Sequence, residues 1–318
     1  MATRKKRRRP QKGRPVQAPK RRQTEASRPW LWALAGAVVV IAIAVIIGVA
    51  VTRSNGGGGT PTSRGSGTTA GLPNTPDYHS LAVNPLDPNH ILLGTHQGLY
   101  TSSDGGTTWA FEALSGQDAM NLARTGGRTL WTAGHNVFAK STDGGRTWIA
   151  LNPTGLPSLD LHGFAVDPRQ PRTFYAAVAG QGLYRSTDNG ASFRSLSGEV
   201  GGAVMALAVT PSGHILAGDM QRGLLVSQNG GKTWRRTLAE QLMGLALNPR
   251  DPKRVLAAGP GILLSTDGGR SWRRHLEIQD GAGPVAWSPS NPRIAYVVGF
   301  DRTLYRSSDG GETWSAVR

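Results

Sequence analysis

The chain alternates between two hydrophobic regimes. From Trp30 to Val51 it runs 22 residues without a charge. At about 1.5 Å rise per residue, such a helix spans a hydrocarbon core of about 30 Å. From about residue 77 to 318 the apolar stretches become short, each bounded by Gly, Pro, Asp or Asn. Examples are Ile91-Leu92-Leu93, Phe174-Tyr175-Ala176 and Met205 to Val209. Short apolar runs separated by turn residues predict an all-β domain.

One turn phrase recurs through that domain. Ser102-Ser103-Asp104-Gly105-Gly106-Thr107-Thr108-Trp109 returns as STDGGRTW, STDNGASF, SQNGGKTW, STDGGRSW and SSDGGETW. The acidic or amide position falls at Asp104, Asp143, Asp188, Asn229, Asp267 and Asp309, in steps of 39, 45, 41, 38 and 42. The aromatic position falls at Trp109, Trp148, Phe193, Trp234, Trp272 and Trp314. A near-constant spacing of this size predicts a repeat architecture. The carboxylate accepts from N–H groups of its own turn, glycine supplies positive φ, and the indole buries a large ring beside it.

Four short strands, A to D, fit each repeat. Strand A, the innermost, is predicted near 79–83, 120–122, 163–166, 205–209, 243–247 and 285–287. A double-proline phrase follows it in four repeats, as in Asn84-Pro85-Leu86-Asp87-Pro88 and Asp167-Pro168-Arg169-Gln170-Pro171. Two prolines three apart fix φ twice and withhold two donors, so the phrase predicts a turn rather than a strand. The box then joins strands C and D. With no split repeat, the ends are expected to meet by packing alone, or residues 72–77 to add to the last blade.

The box pattern resembles the Asp-box (bacterial neuraminidase) repeat, Ser-x-Asp-x-Gly-x-Thr-Trp. Boxes one, two and six match in full; Ser192 and Phe193, Asn229, and Ser271 are the departures. The resemblance covers about three quarters of the chain. It implies an all-β, six-bladed propeller of four-stranded blades, and in the family the box is structural. Such propellers include sialidases, xyloglucanases, sortilin-type receptors and photosystem II assembly factors, so the fold does not choose the function. The sialidase Phe/Tyr-Arg-Ile-Pro segment ahead of the repeats has no counterpart here. The single, tethered ring looks most like the assembly-factor and receptor types.

Charge divides the chain further. Residues 1–28 carry 12 Lys or Arg and one acid, and the remainder carries 24 basic and 19 acidic residues, so +11 of the net +16 lies in a tail. The reading is a disordered basic tail (1–28), a transmembrane signal anchor (29–51), a Gly/Ser/Thr/Pro linker (52–76) and the propeller (77–318). The excess of Lys and Arg before the apolar segment places the N-terminus in the cytoplasm and the propeller outside. A cleaved signal peptide with Gly48-Val49-Ala50 as its site is the rival. The tail is expected to meet anionic lipid headgroups rather than nucleic acid. Cysteine is absent, which removes disulfides and thiolate zinc sites.

Strands that alternate in direction put the A–B turns and the boxes on one face, and the B–C and D–A loops on the other. The second face carries the variable polar residues, where function is expected. Its candidates are His79, His96, Gln97, His135, Asn136, His162, Gln181, Asp219, Gln221 and Asp301. The expected role is non-catalytic binding of a protein or glycan partner. The alternative is glycoside hydrolysis by a carboxylate pair among Asp118, Asp160, Glu199, Asp219 and Asp280. His96 and His135 occupy equivalent positions, which suggests a shared structural hydrogen bond. A metal there would need a third ligand from His79, Asp219 or His162, and no metal or cofactor is expected. Phe193 and Asn229 suggest that blades three and four open first.

Overall fold

The computed structural model describes residues 68–318. The expected tail, the expected transmembrane segment and most of the expected linker lie outside the described residues. Among the described residues, no helix is long and apolar enough to cross a membrane.

A two-residue strand, β1 (Thr69–Ala70), precedes six four-stranded antiparallel meanders. Blade one is β2 (Ser80–Val83), β3 (Ile91–Thr95), β4 (Gly98–Ser102) and β5 (Thr108–Ala113). Blade two is β6 (Asn121–Gly126), β7 (Thr129–Gly134), β8 (Val137–Ser141) and β9 (Ile149–Ala150). Blade three is β10 (Leu161–Asp167), β11 (Gln170–Val178), β12 (Gly182–Ser186) and β13 (Arg194–Ser197). Blade four is β14 (Val204–Val209), β15 (Ile215–Asp219), β16 (Gly223–Ser227) and β17 (Arg235–Leu238). Blade five is β18 (Gly244–Leu247), β19 (Val255–Ala258), β20 (Gly261–Ser265) and β21 (Arg273–Glu277). Blade six is β22 (Ala282–Trp287), β23 (Ala295–Gly299), β24 (Leu304–Ser307) and β25 (Ser315–Ala316). The inner strands neighbour one another in the order β2, β6, β10, β14, β18, β22 and back to β2, which closes a six-bladed propeller.

Each box is a hydrogen-bonded corner. In blade one the Ser102 hydroxyl donates to Asp104 Oδ1 at 2.8 Å and accepts from Gly106 N at 2.9 Å. The Thr108 N–H and hydroxyl donate to the two Asp104 carboxylate oxygens at 2.9 and 2.6 Å. The Trp109 indole N–H closes the turn on Gly106 O at 3.0 Å. Asn229 keeps the pattern: its Oδ1 accepts from Ser227 and Thr233, and its amide donates to the Thr233 hydroxyl at 2.9 Å. Phe193 has no indole donor. Instead residues Thr154 and Gly155 of the preceding loop strap the corner, with Phe193 N donating to Thr154 O at 2.8 Å. Asn229 and Phe193 thus each have a substitute, and Ser192 and Ser271 keep the threonine's hydroxyl bond to the aspartate.

These corners are expected to be acid-sensitive. Hydrogen bonds from the Thr313 hydroxyl and N–H bring the Asp309 carboxyl down to about 2. Asp104 and Asp267 also fall to about 2; burial opposes ionisation there, and the hydroxyl and N–H donors outweigh it. An unfolded Asp titrates near about 4. The folded value is the lower one, so this stabilisation is complete above about pH 4 and is lost as pH falls toward 2. Thermal melting followed from pH 6 to 2 should show that decline, and Asp309→Asn should make it shallower. An unchanged slope would mean the corner carboxylates are protonated alike in both states.

The second box glycine also joins blades. A Cβ on Gly145 would lie 3.0 Å from Leu92, and one on Gly190 would lie 2.7 Å from Phe138, each in the preceding blade. For blade one the preceding blade is the last: a Cβ on Gly106 would lie 2.0 Å from Leu304. The cluster at this seam joins Leu81, Ile91, Leu93 and Trp109 to Ala286, Tyr296, Val298 and Leu304. The ends therefore meet by packing, with no strand shared between blades one and six. Residues 72–77 do not extend the last blade. Thr69 and Ala70 pair with Trp109 and Thr108 on the outer edge of blade one. The segment between them and β2 crosses the seam, with Arg302 donating to Asn74 Oδ1 at 2.7 Å and Tyr78 to Pro73 O at 2.8 Å. Among the described residues, pairing with blade one is already made at Thr69 and Ala70, within the stretch expected to be linker.

The double-proline phrase is a turn in blades one, five and six. In blade three it is shorter: only Pro168 and Arg169 turn, and Gln170 and Pro171 already belong to β11. Gln170 pairs with Asp167, after which the register shifts, so the missing Pro171 donor falls at an irregularity where the ladder does not need it.

Candidate functional site

The predicted sharing of faces holds. Gly105 N donates to Asn89 O at 2.9 Å, and Gly144, Gly268 and Gly310 donate likewise to Arg128, Lys253 and Arg293, so boxes sit against A–B turns. On the other rim, Asn136 N donates to Leu159 O at 3.0 Å and Phe300 N to Gly281 O at 2.9 Å, joining B–C turns to D–A loops.

On that rim the chain gathers four histidines and three aspartates. The D–A segments of blades one to three read Asp77-Tyr78-His79, Asp118-Ala119-Met120 and Asp160-Leu161-His162, with the aspartates 41 and 42 residues apart. The B–C turns of blades one and two add His96 and His135. Within blade one, Asp77 accepts from the His96 N–H at 3.2 Å and contacts His96 Nδ1. Within blade two, Asp118 Oδ2 repeats this with the His135 N–H at 3.0 Å and Nδ1 at 2.7 Å. This is the shared hydrogen bond that equivalent positions suggested. Blade three has Ala179-Gly180-Gln181 in its B–C turn, so Asp160 has no B–C-turn histidine in its own blade and meets His135 of blade two and His162 instead.

The rings form a continuous row. His79 meets His96 edge-on at 4.2 Å, His96 stacks on His135 at 5.3 Å, and His135 meets His162 edge-on at 5.0 Å. Asp77 Oδ1 lies 3.2 Å from His79 Nε2, and His96 Nδ1 lies 2.9 Å from that same nitrogen. Asp77 was absent from the predicted site. Its signal was the Asp-x-His spacing shared with Asp160 and His162, visible only once the D–A loops are aligned.

Electrostatics follows the geometry. The hydrogen bond to Asp77 holds His96 above the ordinary histidine value, against burial. Asp118 does the same for His135. Burial pulls His162 below it, with the neighbouring His135 charge adding to the effect. Burial opposes ionisation of Asp77 and Asp118, but their histidine partners outweigh it and both carboxyls are held low.

The other candidates stay apart from this row. Gln97, Asn136, Gln181 and Gln221 are exposed turn residues. Asp301 is exposed and accepts from the Tyr305 hydroxyl at 2.5 Å. Asp219 is 1% exposed, and its carboxylate is taken by the Gln221 and Arg222 N–H groups and the Arg222 guanidinium at 2.8–3.1 Å. It braces its turn and presents no free oxygen to the rim. Glu199 and Asp280 are exposed. The axial channel between the blades narrows to a cavity of about 90 Å³, lined among others by His79, Met120, Met205, Met243 and Pro284. A larger groove, about 630 Å³, lies on the opposite rim between the turns of blades one and two, beside Arg124, Arg128 and Arg146.

Six blades cornered by Asp boxes, with a polar rim opposite them, define an Asp-box propeller. Within that class, residues 72–318 match the family described as photosynthesis system II assembly factor YCF48, and the chain belongs to it. The photosystem II assembly lipoprotein Ycf48 of Synechococcus sp. (strain CC9902) is 24% identical over 248 residues, covering 74% of each chain. A probable oligoxyloglucan-reducing end-specific xyloglucanase of Neosartorya fischeri is 27% identical over 260 residues. That match covers 70% of this chain but 27% of the xyloglucanase, so the chain spans about a quarter of that relative. The solved structure of YCF48 bound to D1 peptide superposes with a TM-score of 0.50 at 22% identity, covering 79% of this chain and 84% of that one.

Proposed function

We propose that this chain is a non-catalytic assembly factor, tethered to a membrane by its N-terminal apolar segment, whose B–C/D–A rim docks a segment of a protein partner. Family membership over the whole propeller carries the reading. The relative solved with a bound D1 peptide supports a protein ligand. The rim adds exposed amides at Gln97, Asn136, Gln181 and Gln221, which suit an extended backbone. On this reading the basic tail meets anionic headgroups in the cytoplasm, and the propeller stands on the other side of the membrane.

Hydrolysis of a glycan is the second reading, favoured by the xyloglucanase relative. A glycosidase acid needs a raised pKa. Asp118 is held low by His135, and the Asp219 carboxylate is locked to Arg222, so neither fits that role. A photo-crosslinking residue at Gln97 or Asn136 of the membrane-bound chain should capture a protein, whereas one at Lys232 in a box should not. Capture from Lys232 alone would place docking on the opposite rim. Release of sugar from xyloglucan by the purified chain would favour the hydrolase.

A further inference from the structure

We propose that the rim binds a divalent transition metal, of which Zn²⁺ is the fitting example, through His135 Nε2, His162 Nε2 and Asp160 Oδ1. These three atoms form a triangle: 3.1 Å between the two nitrogens, and 3.3 and 3.1 Å from each to the carboxylate oxygen. A tetrahedral metal with bonds of about 2.0–2.1 Å sets its ligand atoms about 3.3 Å apart. The triangle therefore has the size of one face of a zinc tetrahedron.

With both rings neutral, protons do not satisfy the triangle. His135 Nδ1 faces the acid Asp118 at 2.7 Å, which fixes the hydrogen there and leaves Nε2 as a lone pair in the neutral ring. A single hydrogen on His162 Nε2 serves either that lone pair or Asp160, but not both. Asp160 Oδ1 is in fact a buried oxygen that accepts no hydrogen bond, although its side chain as a whole is 44% exposed. A cation satisfies all three lone pairs at once. Asp118 also supplies what a metal-bound histidine ordinarily has, a carboxylate on its other ring nitrogen. Asp118 is 5% exposed, and its second oxygen is buried without a partner. With three protein ligands and His135 side chain 39% exposed, a fourth position is open to water or to a carboxylate from a partner. The related triad of Asp77, His79 and His96 lies along the same row. The assignment does not depend on the docking reading.

The test uses the full chain without an affinity histidine tag, stripped with chelator, reloaded with Zn²⁺ or Co²⁺ and passed through gel filtration. The parent should retain zinc by mass spectrometry, and its Co²⁺ form should show the visible bands of a tetrahedral site. His162→Ala and Asp160→Asn should each lose one metal equivalent relative to the parent, and Asp118→Asn should bind about 10–100-fold more weakly. His214→Ala, on the other rim, should match the parent. Melting of the metal-free proteins identifies a variant that fails to fold; Asp160→Asn, at a half-exposed carboxylate, then decides. Zinc content in both ligand variants equal to the parent, or a parent that retains none, overturns the assignment.

Discussion

Gly106→Ala should unfasten the ring where its two ends meet. The residue sits at φ +95, where an L side chain is strained, and an added Cβ would lie 2.0 Å from Leu304 in blade six. Leu304 is 3% exposed inside the seam cluster, so it has little room to withdraw. Backbone strain of about 1–3 kcal/mol and overpacking of about 1–3 kcal/mol act together here, a loss of roughly 2–6 kcal/mol. Gly230→Ala is the matched comparison: φ is +72 but nothing lies within 4 Å of its Cβ, so only the strain remains. Denaturant unfolding of both variants measures the difference. Equal losses would show that the seam yields freely and that packing across it does not hold the ring shut.

Trp109→Ala should cost about 3–5 kcal/mol, the range for emptying a large aromatic site in a core. Trp109 is 1% exposed and is the largest fully buried side chain among the described residues. Its indole closes the box on Gly106 O, and its ring packs in the seam cluster with Ile91, Tyr296 and Leu304. The equivalent Trp148 and Trp314 are only partly buried, so alanine there should cost less. The ranking matters more than any one value: a smaller loss at Trp109 than at Trp314 would show that the seam between blades one and six is not the main support of the ring.

The fold was legible because the box is local. Each corner is built from eight consecutive residues, and its spacing counts the blades directly. The closure was half legible. The absence of a split repeat implied packing, but a two-residue strand such as β1 carries no periodicity to detect, and its pairing with Thr108 and Trp109 is a long-range choice. The rim was read with the same mixture. His79, His96, His135 and His162 stood out by residue type, and the structure brings them into one row. Asp77 was missed because it coincided with the presumed start of the domain. Asp219 looked like a free rim acid because its partner, Arg222, is three residues on within one turn; in space that closeness is what buries the carboxylate.

The seam between blades one and six has a further consequence. Because no strand is traded across it, every blade is a contiguous stretch of chain, and the junction is made of the same glycine-on-leucine contact as its neighbours. Where the polypeptide starts is thus arbitrary to the wheel. A circular permutant opened between Gly198 and Gly202, with Arg318 joined by a short spacer to Thr69, would have the means to assemble the same hexagon from a different first spoke.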